Sequence, residues 1–177
     1  VGGHSDSVEA GPGINDNGSG SIGLLEVAKQ LTKYKVNNAV RFSWWAAEEE
    51  GLLGAAYFVE QSTQEDLDKI RLYLNFDMIG SPNFFYGVYD GDGSEFGTTG
   101  PLGSAQAEKL FEDYFESVGI QSFPTDFSGR SDYGPFLENG VASGGLFTGA
   151  EELKTQLEAA NSKIAELEAS VGDADAL

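Results

Sequence analysis

The sequence contains no cysteine and only one histidine, His4. The first absence excludes disulfides and thiolate metal sites and leaves the redox compartment open. Together the two mean that any metal here is held by oxygen ligands and by His4. Cations are scarce as well: 10 Lys and Arg face 29 Asp and Glu, a formal net charge of −19. Phosphate recognition needs clustered Lys and Arg, so nucleic acid and anionic membranes are excluded as partners. Long hydrophobic runs are also missing. Hydrophobic residues make up 40% of the chain, yet no apolar stretch approaches the roughly 20 residues that span a bilayer, and no signal peptide is visible. The chain opens at Val1 inside what reads as a strand, the start expected of a mature or clipped fragment. Its 177 residues suffice for one domain with a substantial core, but not comfortably for two.

What is present centres on Trp44-Trp45-Ala46-Ala47-Glu48-Glu49-Glu50-Gly51. An aromatic, apolar run over Val40 to Ala47 predicts a buried strand, and Gly51 a tight turn after it. Three adjacent carboxylates at a strand end repel one another and lose hydration, so a hard divalent cation would offset them. A solvated acidic turn has the same composition. Around this stretch, strands and helices alternate. Val1-Gly2-Gly3 delivers His4 to a strand end, and a loop from Ser5 to Gly18 follows. Ser19 or Ser21 then caps a helix with Ile22, Leu25, Ala28 and Leu31 inward. Leu52 to Gln61 reads as a helix with Ala55, Phe58 and Val59 inward, and Ser62 to Ile70 as a short capped helix. Strands are expected over Arg71 to Ile79, Phe84 to Tyr89, Ile120 to Phe123 and Val141 to Leu146. Further helices are expected over Ser104 to Gly119, with Ala107, Leu110, Phe111 and Phe115 on one side, and over Asp132 to Asn139. The alternation argues for an α/β sandwich around a largely parallel sheet.

From Glu151 the composition changes. Leu153, Leu157, Ala160, Ile164, Leu167 and Val171 alternate at spacings of four and three, a heptad seam. The spacing predicts a helical tail over residues 151–177, distinct from residues 1–150, that packs on the body or self-associates with a second copy.

In open parallel sheets, functional groups collect beyond the carboxyl ends of the strands. His4, the Glu48-Glu49-Glu50 cluster and Asp77 all stand at such ends, and Asp16 lies in a loop just before a helix. Singly, a lone histidine is often structural, and a strand-end aspartate often caps a turn. Four such groups at one edge suit zinc or manganese. Asp6, two residues beyond His4, can accept the other imidazole N–H and fix the tautomer.

His4-Ser5-Asp6-Ser7, Gly11-Pro12-Gly13-Ile14-Asn15-Asp16, Trp45-Ala46-Ala47-Glu48-Glu49 and Asn75-Phe76-Asp77-Met78-Ile79-Gly80 resemble the zinc aminopeptidase family of aminopeptidase Y and the secreted fungal and bacterial leucine aminopeptidases. The resemblance runs from Val1 to about Glu151, with the motifs in the family's order. It implies a three-layer α/β/α sandwich with a mixed, mostly parallel sheet, a secreted setting, and a co-catalytic zinc pair that removes N-terminal, usually apolar, residues from peptide substrates. Carried over by position, His4 and Asp77 bind one zinc, Glu49 the other, and Asp16 bridges them. Glu48 is the general base, with Asp6 beside the catalytic group. Arg130 and Phe147 line the substrate site, although Arg130 could equally form a surface ion pair with Asp126 or Asp132. Zinc ions about 3.5–4 Å apart share the nucleophile and stabilise the developing oxyanion, while a carboxylate held off the metal handles the proton. The sequence departs from the family in lacking a second, downstream histidine ligand and in carrying Asn17 where an aspartate is usual. The set of His4, Asp16 and Asp77 is thus complete, and the Glu49 site lacks a nitrogen ligand. Three functions stay open: a metallo-aminopeptidase, a non-catalytic relative binding at most one metal, and an assembly module driven by the heptad tail.

Overall fold

The structure is a computed structural model and describes residues 1–149. The heptad tail, its expected packing on the body or self-association, and the boundary at residue 150 lie outside the described residues. Six strands among the described residues form one sheet: β1 (Gly2–His4), β2 (Ser43–Trp45), β3 (Tyr73–Phe76), β4 (Tyr86–Tyr89), β5 (Ser122–Thr125) and β6 (Ser143–Phe147), in the order β2-β1-β3-β6-β4-β5. Neighbours run parallel except β4 and β6, which pair antiparallel. The sheet is therefore mixed and mostly parallel, as the alternation of elements and the family resemblance both imply. Among the described residues, five helices connect the strands: α1 (Gly18–Leu31), α2 (Leu53–Gln61), α3 (Gln64–Leu67), α4 (Ser104–Ser117) and α5 (Tyr133–Glu138).

Side chains alternate across each strand, and this divides the helices between two layers. The Trp44 indole donates to the Ser21 carbonyl of α1, while Trp45 packs against Phe58 of α2 and Phe136 of α5. In β3, Tyr73 stacks on Phe136 at 4.2 Å, and Phe76 meets Phe111 of α4 edge-on. Helices α1 and α4 thus cover one face, and α2, α3 and α5 the other. The larger core lies under the second layer, where Ala55, Val59, Leu67, Tyr73, Tyr89, Phe127, Tyr133, Phe136 and Val141 form one buried cluster.

Several local expectations are corrected. β2 is shorter than Val40 to Ala47 and occupies the sheet edge, leaving Trp44 41% exposed where a buried strand was expected. β3 stops at Phe76, because Met78 takes a left-handed backbone, φ 52°, that a ladder cannot accommodate. β5 and β6 begin two residues later than the hydrophobic runs suggest. The cap of α1 is Asn17, whose side chain accepts from Gly20 N–H. Ser19 instead donates to the Asn15 carbonyl, and Ser21 to the His4 carbonyl. Ile22 and Leu25 are 70% and 59% exposed, and the face toward the sheet is Gly20 and Leu24. Gly20 approaches the strand so closely that a Cβ would lie 2.2 Å from the Phe76 carbonyl oxygen, and this contact sets the helix's rotation. In α4, Ala107 and Phe115 are buried as expected, but Leu110 is 67% exposed and Glu108 turns inward to accept the Asp92 N–H. No helix among the described residues is long and apolar enough to cross a membrane.

Candidate metal centre

Because β1, β2 and β3 run parallel, their carboxyl ends deliver His4, the Glu48 turn and Asp77 to one edge of the sheet. Asp16 joins them from the loop that enters α1. His4 is fully buried. Its Nε2 lies 3.1 Å from Asp16 Oδ1, 3.2 Å from Asp77 Oδ1 and 3.9 Å from Glu48 Oε2. Its Nδ1 lies 3.1 Å from the Asp6 carbonyl oxygen. A carbonyl only accepts, so Nδ1 carries a hydrogen and Nε2 is the atom turned to the carboxylates. Asp6 thus meets Nδ1 with its backbone carbonyl, and its carboxylate Oδ1 lies 3.5 Å from the same nitrogen. Its carboxylate receives the Glu48 and Glu49 N–H groups at 3.1 and 3.2 Å. Burial alone would raise the Asp6 pKa, and these N–H bonds overcome it to hold the group below its usual value.

The Glu48 turn is closed by Gly51 and Leu52 N–H groups donating to the Glu48 carbonyl, with Gly51 at φ 104°. Ala47 and Met78, which flank Glu48 and Asp77, both hold left-handed backbones, at φ 57° and 52°. Non-glycine residues there cost on the order of 1–3 kcal/mol, so the site-bearing ends of β2 and β3 are held against local preference. Asn17 ties the two remaining segments together. Its Nδ2 donates to the Phe76 carbonyl at 3.0 Å, and its Oδ1 accepts Gly20 and Met78 N–H. The Asp16–Asn17 peptide bond is cis.

The electrostatics call for a cation. Burial works against a charge on His4, but Asp16 and Asp77 outweigh it and raise its pKa from 6.5 to about 11. Without a metal, the imidazolium is thus the local counter-charge to several carboxylates. Burial pushes Glu48 up to about 7, against the pull of His4 and with the repulsion of Asp77. Donor atoms of His4, Asp16 and Asp77 lie within 4.8 Å of one another. One imidazole nitrogen with carboxylate oxygens is a donor set that fits zinc. Glu49 lies outside this triple. Its Oε1 accepts the Val8 N–H at 3.1 Å, and burial and the Asp16 charge raise its pKa.

The remaining expected site residues are less engaged. Arg130 is exposed, and the surface ion pair with Asp126 or Asp132 is not formed. Phe147 is half-buried at the end of β6, edge-on to Phe85 at 6.1 Å. Sequence reasoning missed Ser131, whose hydroxyl donates to Asp77 Oδ2 at 2.7 Å, and Asn75, which donates to Ser131. Asn75 carried a readable signal: it is a polar residue in an apolar strand, two positions before Asp77 and so on the same face. Asp132 is fully buried with no hydrogen-bond partner for either carboxylate oxygen among the described residues, and burial raises its pKa to about 8. A second carboxylate group, Asp90, Asp92 and Glu108, is taken up by loop structure, with Asp90 accepting the Ser94, Glu95 and Phe96 N–H groups.

A histidine-and-carboxylate cluster at the carboxyl edge of a mixed sheet, covered by helices on both faces, is a candidate metal site in an α/β/α domain. The profile of peptidase family M28 matches residues 1–166, and the chain belongs to that family. Leucine aminopeptidase 2 of Arthroderma otae is 62% identical over 155 residues, covering 88% of this chain and 31% of that protein. Probable leucine aminopeptidase 2 of Aspergillus fumigatus is 61% identical over 159 residues, covering 90% and 32%. The structure of BSAP, a zinc aminopeptidase from Bacillus subtilis, superposes with a TM-score of 0.73 at 31% identity, covering 86% of this chain and 36% of that one. The chain spans about a third of the length of these relatives.

Proposed function

We propose that this chain carries the metal-binding and proton-transfer part of a zinc aminopeptidase that removes N-terminal, apolar residues from peptides, in an extracellular setting. The observation that supports it most is the convergence of His4 Nε2, Asp16 Oδ1 and Asp77 Oδ1, with Glu48 Oε2 just outside them. His4, Asp16 and Asp77 hold a first zinc, and Glu49, which feels the Asp16 charge, is the ligand proposed for a second. Bound there, zinc supplies Lewis acidity, making water nucleophilic near neutral pH and polarising a carbonyl. Glu48 Oε2 accepts the proton of the attacking water and returns it to the departing amine. Burial raises the Glu48 pKa in the metal-free site, the direction that suits a carboxylate to proton transfer near neutrality. Asp6 steadies this machinery, holding the Glu48 and Glu49 backbone with its carboxylate and His4 with its carbonyl. Arg130 and Phe147 are the residues proposed to contact substrate, and the names of the fungal relatives favour leucine or a similar side chain at the N-terminus.

One observation favours a second reading. The single histidine leaves the proposed Glu49 site without an imidazole, as in a relative that binds one zinc and turns over nothing. A chelator-stripped sample, assayed on a leucine anilide before and after zinc is restored, separates the two. Zinc uptake with hydrolysis, abolished by Glu48→Gln, supports the first reading. Uptake without hydrolysis supports the second, and no uptake overturns the first.

A further inference from the structure

Beneath the metal centre, buried polar side chains from β2, β3 and the turn into α5 form one chain of hydrogen bonds. The Trp45 indole Nε1–H donates to the Tyr73 hydroxyl at 2.8 Å. The Tyr73 hydroxyl donates to Asn75 Oδ1 at 3.1 Å, and Asn75 Nδ2 donates to Ser131 Oγ at 2.9 Å. The Ser131 hydroxyl then donates to Asp77 Oδ2 at 2.7 Å. An indole has a hydrogen and no lone pair to offer, so it fixes the direction of the first link. Tyr73 must accept there and pass its own hydrogen on, and the same reasoning orients each later link. Tyr73, Asn75 and Ser131 are all buried, and no solvent competes along the chain. Burial holds the Tyr73 pKa well above its usual value, so its hydrogen stays in place. Gly2 packs directly on the first link, where a Cβ would come within 2.5 Å of the Tyr73 hydroxyl and 2.7 Å of the indole nitrogen.

The consequence falls on Asp77. Its Oδ2 is occupied by the Ser131 hydrogen, while Oδ1 alone faces His4 Nε2. We propose that Trp45, Tyr73, Asn75 and Ser131 are positioning residues for the metal centre, holding Asp77 so that it offers a single oxygen to the cation. The inference rests on the reading of His4, Asp16 and Asp77 as zinc ligands. It also links the two strand ends: Trp45 stands three residues before Glu48, so the chain couples the proton-carrying turn after β2 to the metal ligand that follows β3. Partners that orient a ligand in this way usually cost about 10–100-fold in metal affinity when removed.

The test measures zinc affinity by chelator competition on the full chain, beside a thermal melt that shows each variant is folded. Asn75→Leu removes the middle of the chain and Ser131→Ala its end. Each should weaken zinc binding by about 10–100-fold, the double variant should be no weaker than the worse single, and Ser131→Thr should restore the parent value. A merely structural role for Asn75 would lower the melting temperature and leave the affinity of the folded protein unchanged, which overturns the inference. If Asn75→Leu does not fold, the parent itself decides. The chain has two tryptophans, and the Trp44 indole donates elsewhere, to Ser21. On saturation with zinc, the Trp45 indole N–H resonance should move in the parent and not in Ser131→Ala. A Trp45 resonance that ignores zinc in the parent refutes the coupling. Failure of the parent to bind zinc removes the metal reading and this inference with it. Normal zinc binding by Asn75→Leu removes this inference alone.

Discussion

Asn17→Ala is the substitution whose effect follows most directly from the geometry. Three bonds are lost. The first caps α1 through Gly20 N–H at 2.9 Å, and replacing such a cap by alanine costs about 1 kcal/mol. The other two hold the chain around Asp77: Met78 N–H at 3.2 Å and the Phe76 carbonyl at 3.0 Å. Asn17 is 1% exposed, so neither group recovers a water, and each orphaned buried partner costs about 1–3 kcal/mol. The sum is about 3–7 kcal/mol, a large share of the roughly 5–15 kcal/mol that holds a typical domain together. For a chain of this size it corresponds to a fall of about 6–28 °C in melting temperature. Thermal and guanidinium unfolding followed by circular dichroism would measure it. Zinc affinity should fall as well, because Asn17 adjoins Asp16 and its amide braces Met78 beside Asp77. Asn17→Asp keeps both acceptor bonds but sets a carboxylate against the Phe76 carbonyl, so it too should destabilise. A loss below about 1 kcal/mol for Asn17→Ala would show that these buried bonds do not hold the site, and the argument would be wrong.

Other expectations follow from the same arrangement. Glu48→Gln should abolish turnover while leaving zinc content nearly unchanged, since a proton carrier is lost and not a ligand. Glu49→Gln should lower only the weaker zinc, and equal effects of both changes on metal content would erase that division of roles. Elemental analysis after dialysis should find one tightly held zinc per chain and a second retained weakly or not at all; two at full occupancy would show that the Glu49 site needs no histidine from this chain. In the metal-free protein the folded His4 pKa, about 11, lies above its unfolded value near 6.5. The stability His4 contributes is therefore full below pH 6.5 and is lost as pH rises through about 11. Melting temperatures of chelator-treated protein should fall between about pH 7 and pH 10, and His4→Gln should flatten that slope; equal slopes in the two proteins would contradict it.

Much of this molecule is written locally. The alternation of strands and helices, the inward Ala55 and Val59 of α2, and the strand end at His4 are all legible from side-chain type and period. The residues that meet at the metal centre were legible too, because parallel strands bring their carboxyl ends to one edge whatever their separation in sequence. The rotation of α1 was not legible. Ile22 and Leu25 carry the stronger apolar signal, yet the close approach of Gly20 to Phe76 turns them to solvent, and that contact exists only after β3 is in place. Asn17 reads as a departure from an expected aspartate; only the packed fold shows its amide donating to a carbonyl 59 residues away. The two neighbouring glutamates divide in the same way. Glu48 and Glu49 are chemically identical and adjacent, and the Asp6 carboxylate fixes the turn that sends one toward His4 and the other to the Val8 N–H. Ser131 was invisible for the same reason: its importance lies in a hydrogen bond to Asp77 across 54 residues of chain. Sequence determines which groups are available at an edge, while the directions of their lone pairs and hydrogens are set by neighbours that only the tertiary structure supplies.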